Sequence, residues 1–458
     1  MSFTRKKSRI ELAFLGTGKF DFDQARHQLQ DVHLRIHLTA DAATTVNGQT
    51  ALLTAVALAC RCFGHVSLAG AADAPYRAAF PLEAETLEEA AALLGATSAQ
   101  ESPTHSLLIG GGNSVDVAKK AVRATWKHWI AAVSPADEPA EPCEGAFPLA
   151  AIAAAALAVG ELFQQQLNNP RAGRFSHEIS LWDPATGDVG PNAPEAVQLP
   201  KDIWLIGLGN LGQAFLWALA SLNFQNPNDV SLVLQDFDRV DEENFGTSIL
   251  TGPDDEGALK TFIAEQWCLA RGFRVNRVDR AFDKNTVIGQ REPRLAFSGL
   301  DKIGVRKLLD QPDFQYVIDA GLGSNASDFD RFRINTFDQH LRPSAHFAEQ
   351  SDDNEHARAD AFIAASQAYK KAVDLASPAA ACGLRDVAGK SVAVPYVSSV
   401  AACLVIAQAM RLVSGYAPHI SIAGHVRSIE NAEAREGKKA DRLIVGSTPH
   451  GSEPAWNS

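Results

Sequence analysis

The sequence is poor in the residues that build metal, redox and secreted scaffolds. Six cysteines are spread over 458 residues (Cys60, Cys62, Cys143, Cys268, Cys382 and Cys403), and none forms a Cys-x-x-Cys pair. A four-cysteine zinc site and a disulfide framework are both unsupported, and a reducing cytoplasm is the expected location. The histidines, His340 and His346 among them, do not fall at metal-ligand spacing, so no protein-held metal is expected. A Gly-x-Ser-x-Gly elbow is missing too, which removes the hydrolase triad. Positive charge is scarce: 42 Lys and Arg face 54 Asp and Glu, for a net charge of −12. Phosphate neutralisation needs clustered cations, so nucleic acid is excluded as a partner. The one basic run, Arg5, Lys6, Lys7 and Arg9, reads as a solvated tail. Long apolar runs are absent as well. The best, over 147–163, is interrupted by Pro148 and Glu161 and falls short of the ~20 residues that cross a bilayer. It reads as a buried helix, no membrane association is expected, and the run over 12–15 is too short for a signal peptide.

What remains is an ordinary globular composition, 46% hydrophobic and 21% charged, in a chain long enough for two domains. Pro- and Gly-rich stretches over 134–145 and 183–200 mark breaks, and 351–360 is a third, charged one. The resulting division is a first domain over 1–182, a linker over 183–200, a second domain over 201–433 and a polar tail over 434–458.

The second domain opens with a strand over 203–206, a Gly207-x-Gly209-x-x-Gly212 turn and a helix over 213–222. A second strand over 230–235 ends at Asp236, and a helix over 259–270 and a strand over 316–318 continue the alternation. Such βα alternation predicts a parallel sheet covered by helices. The first domain repeats the order in weakened form. A strand over 34–38 leads through Asn47 and Gly48 to a helix over 50–63 and a strand over 65–69. Leu107–Gly112 is matched here to the stretch from Val317 to Gly323, and Phe147-Pro148 opens an apolar helix as Pro395-Tyr396 does. Five matches in one order point to duplication. The expected fold is α/β, with tandem Rossmann-like domains forming an intrachain pseudo-dimer whose first half lacks the glycine turn. Further oligomerisation is not required.

Glycines in a βα turn let phosphates approach the backbone and the free N–H groups of the helix start. Gly207, Gly209, Asn210, Leu211 and Gly212 fit that demand. Asp236, at the end of the next strand, is placed to accept ribose hydroxyls. Up to this point NAD and ATP fit equally well.

The run Asp236-Phe237-Asp238-Arg239-Val240 with Asn244-Phe245, then Gly257 and Lys260 opening a helix, resembles the ThiF/MoeB/HesA and ubiquitin-activating family. The likeness covers residues 200–325 well and the C-terminal helix region more loosely. It implies an ATP site with Mg2+ and adenylation of the C-terminal glycine of a ubiquitin-like protein, with a conjugating enzyme as a further partner. Carried over, Asp236 and Asp238 hold the ribose, Asn244 lies near the phosphates and Lys260 contacts them. A lysine there would stabilise charge building at the α-phosphate.

Two departures bear on activity. Thr247 and Ser248 stand where the family has an arginine, and Leu322 replaces the second carboxylate of an Asp-x-x-Asp run that begins here at Asp319. Arg174, in the Arg171-Ala-Gly-Arg174 segment, is a candidate arginine donor, and Arg61 of the first half is another that would reach across the pseudo-dimer. Cys382, before Arg385, is the candidate thioester nucleophile. Cys143 is its degenerate counterpart, while Cys268 and Cys403 read as core. The alternatives are a NAD-dependent oxidoreductase and a non-catalytic scaffold for a ubiquitin-like or conjugating protein.

Overall fold

The computed structural model describes residues 9–70, 73–97, 102–112, 117–185, 194, 196–352, 355–376, 381, 384–385, 388–439 and 445–450. Among them two large sheets account for the two halves of the chain. The first has six strands in the order β2-β1-β3-β4-β5-β6. These are β1 (His33–Leu38), β2 (His65–Gly70), β3 (His105–Ile109), β4 (Lys120–Lys127), β5 (Ile130–Pro135) and β6 (His177–Ser180). Neighbours from β2 to β4 run parallel, and β4-β5 and β5-β6 are antiparallel.

The second sheet has eight strands in the order β10-β9-β8-β11-β12-β13-β14-β15. Its members are β8 (Asp202–Ile206), β9 (Ser231–Gln235), β10 (Arg274–Val278), β11 (Leu295–Ser298), β12 (Tyr316–Leu322), β13 (Arg331–Phe337), β14 (His419–His425) and β15 (Glu433–Glu436). It is parallel from β10 to β12 and antiparallel beyond. Both sheets thus run from parallel neighbours into an antiparallel hairpin, and a long apolar helix follows each hairpin. The tandem Rossmann-like pseudo-dimer is the architecture of the chain.

The sheet orders correct one internal match. β3 bonds the first-turn strand β1 just as β11 bonds β8, so β3 with Gly110 corresponds to β11 with Gly299. The stretch from Val317 to Gly323 therefore has β4, not the Leu107–Gly112 stretch, as its counterpart. An apolar strand ending in glycine looks the same at either place in a sequence; only its hydrogen-bonded neighbour distinguishes them.

The halves meet through helices. Val46–Cys62 packs on Leu149–Gln166, Asn210–Ser221 packs on Pro395–Val413, and the two long apolar helices pack on each other. Pro395–Val413 is long and apolar enough to cross a membrane by composition, yet it is wholly buried inside the protein. Alanines along Leu149–Gln166 let the neighbouring backbones approach closely, and one apolar core runs through both halves. Trp217 fastens the joint: its indole N–H donates to Thr54 Oγ1 at 2.9 Å, and its ring stacks on Phe80 at 3.9 Å. Truncating such a side chain costs about 3–5 kcal/mol.

The segments expected as linker and tail pair with each other. β7 (Gln198–Pro200) and β16 (Ser447–Pro449) form an antiparallel ribbon, and β15 closes the edge of the second sheet. The charged break over 351–360 gives way to a helix, Glu355–Ala365, because its Ala and charged residues propagate a helix well.

Candidate nucleotide site

The glycine turn lies between β8 and the Asn210–Ser221 helix, at the C-terminal edge of the parallel strands, where open α/β sheets bind their ligands. Its three glycines answer three different demands. Gly207 has φ +83°, a left-handed conformation strained for other residues, and a Cβ there would come 3.1 Å from Gly299 O. A Cβ at Gly212 would overlap the Gly207 carbonyl, 2.9 Å from its carbon. Gly209 is different: its φ is an ordinary −76°, and no atom lies within 4 Å of where a Cβ would stand. The fold therefore requires Gly207 and Gly212, whereas Gly209 leaves an open approach to the helix start. No side chain caps that start. Its leading N–H groups have no intrahelical partner, which is the environment a phosphate needs.

Asp236 ties the turn to β9. Its carboxylate accepts the Leu208 N–H at 2.6 Å and the Asp238 N–H at 2.8 Å. Both oxygens retain lone pairs for a ribose hydroxyl. Asp238 and Lys260 are brought together, with Lys260 Nζ 2.8 Å from Asp238 Oδ2. The lysine is nearly buried and the aspartate half-exposed. The backbone reinforces this meeting, since the Lys260 N–H donates to Asp238 O and Arg239 pairs with Leu259 in a β-bridge. Gly257, φ +81°, makes the bend that returns the chain.

Asn210 caps nothing but fastens the turn to the crossover segment before Pro395. Its Nδ2 donates to Ala393 O at 2.7 Å, and its Oδ1 accepts from Ser398 Oγ. Leu211 is buried beneath the turn and touches the place where a Gly299 Cβ would stand. Asn244 closes a short 3-10 turn, its Oδ1 accepting the Asp241 N–H at 3.0 Å. Thr247 and Ser248 are buried, so this position offers no cation.

Asp319 is fully buried in the middle of β12, because the strand continues to Leu322. Ser298 Oγ donates to it at 2.8 Å, and Arg306 Nε lies 3.7 Å away. Burial raises its pKa above the usual carboxylate range, opposed by Arg306 and Ser298. The Asn335 side chain also interacts with the Asp319 carboxylate, which is wholly shielded from solvent. Among the described residues no three His, Cys, Asp or Glu side chains are grouped for a metal ion, and Leu322 supplies no ligand oxygen.

Arg174 is exposed in the loop before β6, at the far edge of the first sheet, and among the described residues it makes no bond to the glycine turn. Arg61 does cross between the halves, donating to Ser248 O at 2.8 Å and Thr251 O at 3.1 Å. Cys382 lies outside the described residues. Cys268 and Cys403 are buried in the core.

Several contributors carried no sequence signal. Arg9, read as a tail residue, donates through its guanidinium to Ser391 O and Oγ. Lys390 binds the buried Glu243 carboxylate at 2.7 Å. Gln213 bonds Leu208 O, Thr251 Oγ1 and the Leu250 N–H. A polar residue inside the apolar helix of a glycine turn is the one hint that could have exposed Gln213.

The corresponding cleft of the first half is filled by its own chain. The loop after β5 lies across it: Gly112 N–H donates to Ala140 O at 2.9 Å, and a Cβ at Gly111 would overlap Glu141 and Pro142. Arg123, fully buried, donates to Gly110 O and Ala136 O. Cys143 sits in the same loop, its thiol pKa pushed up to about 11 by burial, so it is held as a neutral thiol.

Comparison with known proteins agrees with this division into halves. The BilD N-terminal domain family matches residues 33–181, and the BilD C-terminal domain family matches residues 199–416. Bacterial E1-like protein BilD of Collimonas sp. (strain OK412) is 34% identical over 435 residues, 92% of this chain and 91% of its own length. Among solved structures, E. coli MccB with ATP is 15% identical and covers 54% of this chain and 66% of its own at a TM-score of 0.33. E. coli TcdA, a tRNA N6-threonylcarbamoyladenosine dehydratase, is 19% identical over 27% of this chain and 53% of its own, at a TM-score of 0.23. With both domain families matched in order and a relative similar along nearly its whole length, the chain belongs to the BilD family.

Proposed function

We propose that the chain uses ATP, accompanied by Mg2+, to adenylate the C-terminal glycine of a small ubiquitin-like protein in the cytoplasm. The observation that carries this reading is the meeting of Lys260 with Asp238 beside the glycine turn. Asp236 holds that turn, two of its glycines are required by the fold, and the third leaves the helix start open. ATP supplies the electrophilic α-phosphorus and the pyrophosphate leaving group.

The residues then divide the work. The N–H groups following Gly209 receive phosphate oxygens, and Asp236 with Asp238 receives the ribose hydroxyls. Lys260, paired with Asp238 before nucleotide arrives, exchanges that carboxylate for the phosphates and stabilises the charge that develops there. Asp319 is the proposed carboxylate contact on the metal side of the nucleotide. Lys390 and Arg9 hold the crossover segment that Asn210 anchors to the turn. Cys382 is the proposed acceptor of a thioester, formed when its thiolate displaces AMP from the acyl adenylate. A conjugating enzyme would then receive the acyl group.

Titration of the purified chain with ATP and, separately, with NADH distinguishes the readings. ATP binding together with pyrophosphate exchange that needs a ubiquitin-like protein supports adenylation. NADH binding without ATP binding would overturn it in favour of the oxidoreductase. Loss of thioester in Cys382→Ala, with exchange retained, would assign the second step to that residue.

A further inference from the structure

The half without a glycine turn has lost its own cleft, yet Arg61 reaches from it to the loop beside the glycine turn of the other half. Arg61 lies in the last turn of the Val46–Cys62 helix. Its Nη1 donates to Ala57 O at 2.7 Å, which fixes the side chain against its own helix. Nε and Nη2 span the gap to Ser248 O and Thr251 O at 2.8 and 3.1 Å. The loop so gripped follows the place where an arginine is missing.

From that loop the bonding continues inward. Gln213 Nε2 donates to Thr251 Oγ1 at 2.7 Å and to Leu208 O at 3.3 Å, while Gln213 Oε1 accepts the Leu250 N–H at 2.9 Å. The Leu208 N–H in turn binds Asp236. Gln213 and Thr251 are buried, so these bonds act in a low-dielectric setting where losing one partner is felt by the next.

We propose that Arg61 is a positioning residue of the nucleotide site, holding the 248–251 loop so that Gln213 keeps the glycine turn in its binding conformation. The degenerate half is then retained for its contribution in cis to the other half. A guanidinium suits the position because its rigid fork reaches the carbonyls of Ala57, Ser248 and Thr251 at once, with less freedom to lose than an ammonium on a flexible stem. Arg61 also lines a cavity of about 50 Å³ with Glu11, Arg26 and Cys60, room enough for water near a truncated side chain. Arg61→Met is therefore expected to fold.

The proposal rests on the nucleotide reading above, but its test does not depend on it alone. Hydrogen exchange of peptides over 207–213 is measured without nucleotide in the full-length wild type, Arg61→Met and Arg61→Lys, followed by ATP titration and pyrophosphate-exchange kinetics. Arg61→Met is expected to exchange about tenfold faster over 207–213 and to raise the KM for ATP about tenfold, with kcat within about twofold. Arg61→Lys should fall between the two. Wild-type protection over 207–213 and an unchanged KM in Arg61→Met, with only a lower melting temperature, would reduce Arg61 to a structural clamp and overturn the proposal. Should Arg61→Met fail to fold, Arg61→Lys carries the same comparison. A wild type that binds no ATP would instead refute the function, and the exchange data would still decide the role of Arg61.

Discussion

Gly209 and Gly212 stand three residues apart, yet replacing each by alanine should have opposite consequences for folding. At Gly212 a Cβ would overlap the Gly207 carbonyl, 2.9 Å from its carbon, and both partners are backbone. The turn must then move by about 1 Å, with a cost on the order of 1–3 kcal/mol for the overpacked contact. A displacement of that size at a binding turn lowers catalytic efficiency about 100-fold, or roughly 2.7 kcal/mol. At Gly209 the Cβ meets no atom within 4 Å, and φ is −76°, so the fold should lose almost nothing. The new methyl would nevertheless project toward the open side from which phosphates approach the helix start. Calorimetric unfolding and ATP titration of both variants separate the effects. Gly212→Ala should lose stability and affinity together, whereas Gly209→Ala should keep the wild-type melting temperature and lose at least about tenfold in ATP affinity. Full ATP affinity in Gly209→Ala would refute the placement of the phosphates at this turn.

Three further outcomes follow from the same geometry. Lys260→Ala should lower ATP-dependent exchange about 10²–10³-fold. Its melting temperature should hardly change, because a half-exposed ion pair such as Lys260–Asp238 adds under about 1 kcal/mol; an equally active variant would remove Lys260 from the site. The filled cleft of the first half predicts one nucleotide per chain in calorimetric titration, and two would contradict the occlusion by the loop carrying Glu141 and Pro142. Acid stability should turn on His105 and His419, both buried, whose pKa values fall to about 4 chiefly through burial. The unfolded value is about 6.5, so the unfolded chain binds more protons between those limits. Stability should be full above pH 6.5, decline as the pH falls toward 4, and decline less in His105→Gln; a flat profile across this window would refute the assignment.

Much of this architecture was legible in the chain. The glycine turn, the acidic end of β9 and the Gly257–Lys260 return are local patterns, because each places its residues within one βα unit. The duplication was readable from strand order, although the match of β3 to the wrong partner shows where local pattern stops: two apolar strands ending in glycine differ only in their neighbours. Long-range partners escaped for the same reason. Arg9 meets Ser391 and Lys390 meets Glu243 across sequence separations that no spacing rule covers. Asp236 and Asn244 were read for their ligand chemistry, and the structure adds a second occupation, as acceptors of backbone N–H groups that shape the loops around the site. Arg61 was visible as a residue that could cross the pseudo-dimer, but its two carbonyl acceptors belong to a fold of both halves.

The most direct test of the account is ATP–pyrophosphate exchange by the full-length chain with Mg2+ and a ubiquitin-like protein ending in a free C-terminal glycine. The control is the same protein lacking that glycine. Exchange with the intact protein, abolished in the truncated one and sharply reduced in Lys260→Ala, is the predicted result. Exchange that ignores the terminal glycine, or ATP that binds without exchange in the presence of the intact partner, would contradict adenylation as the chain's activity.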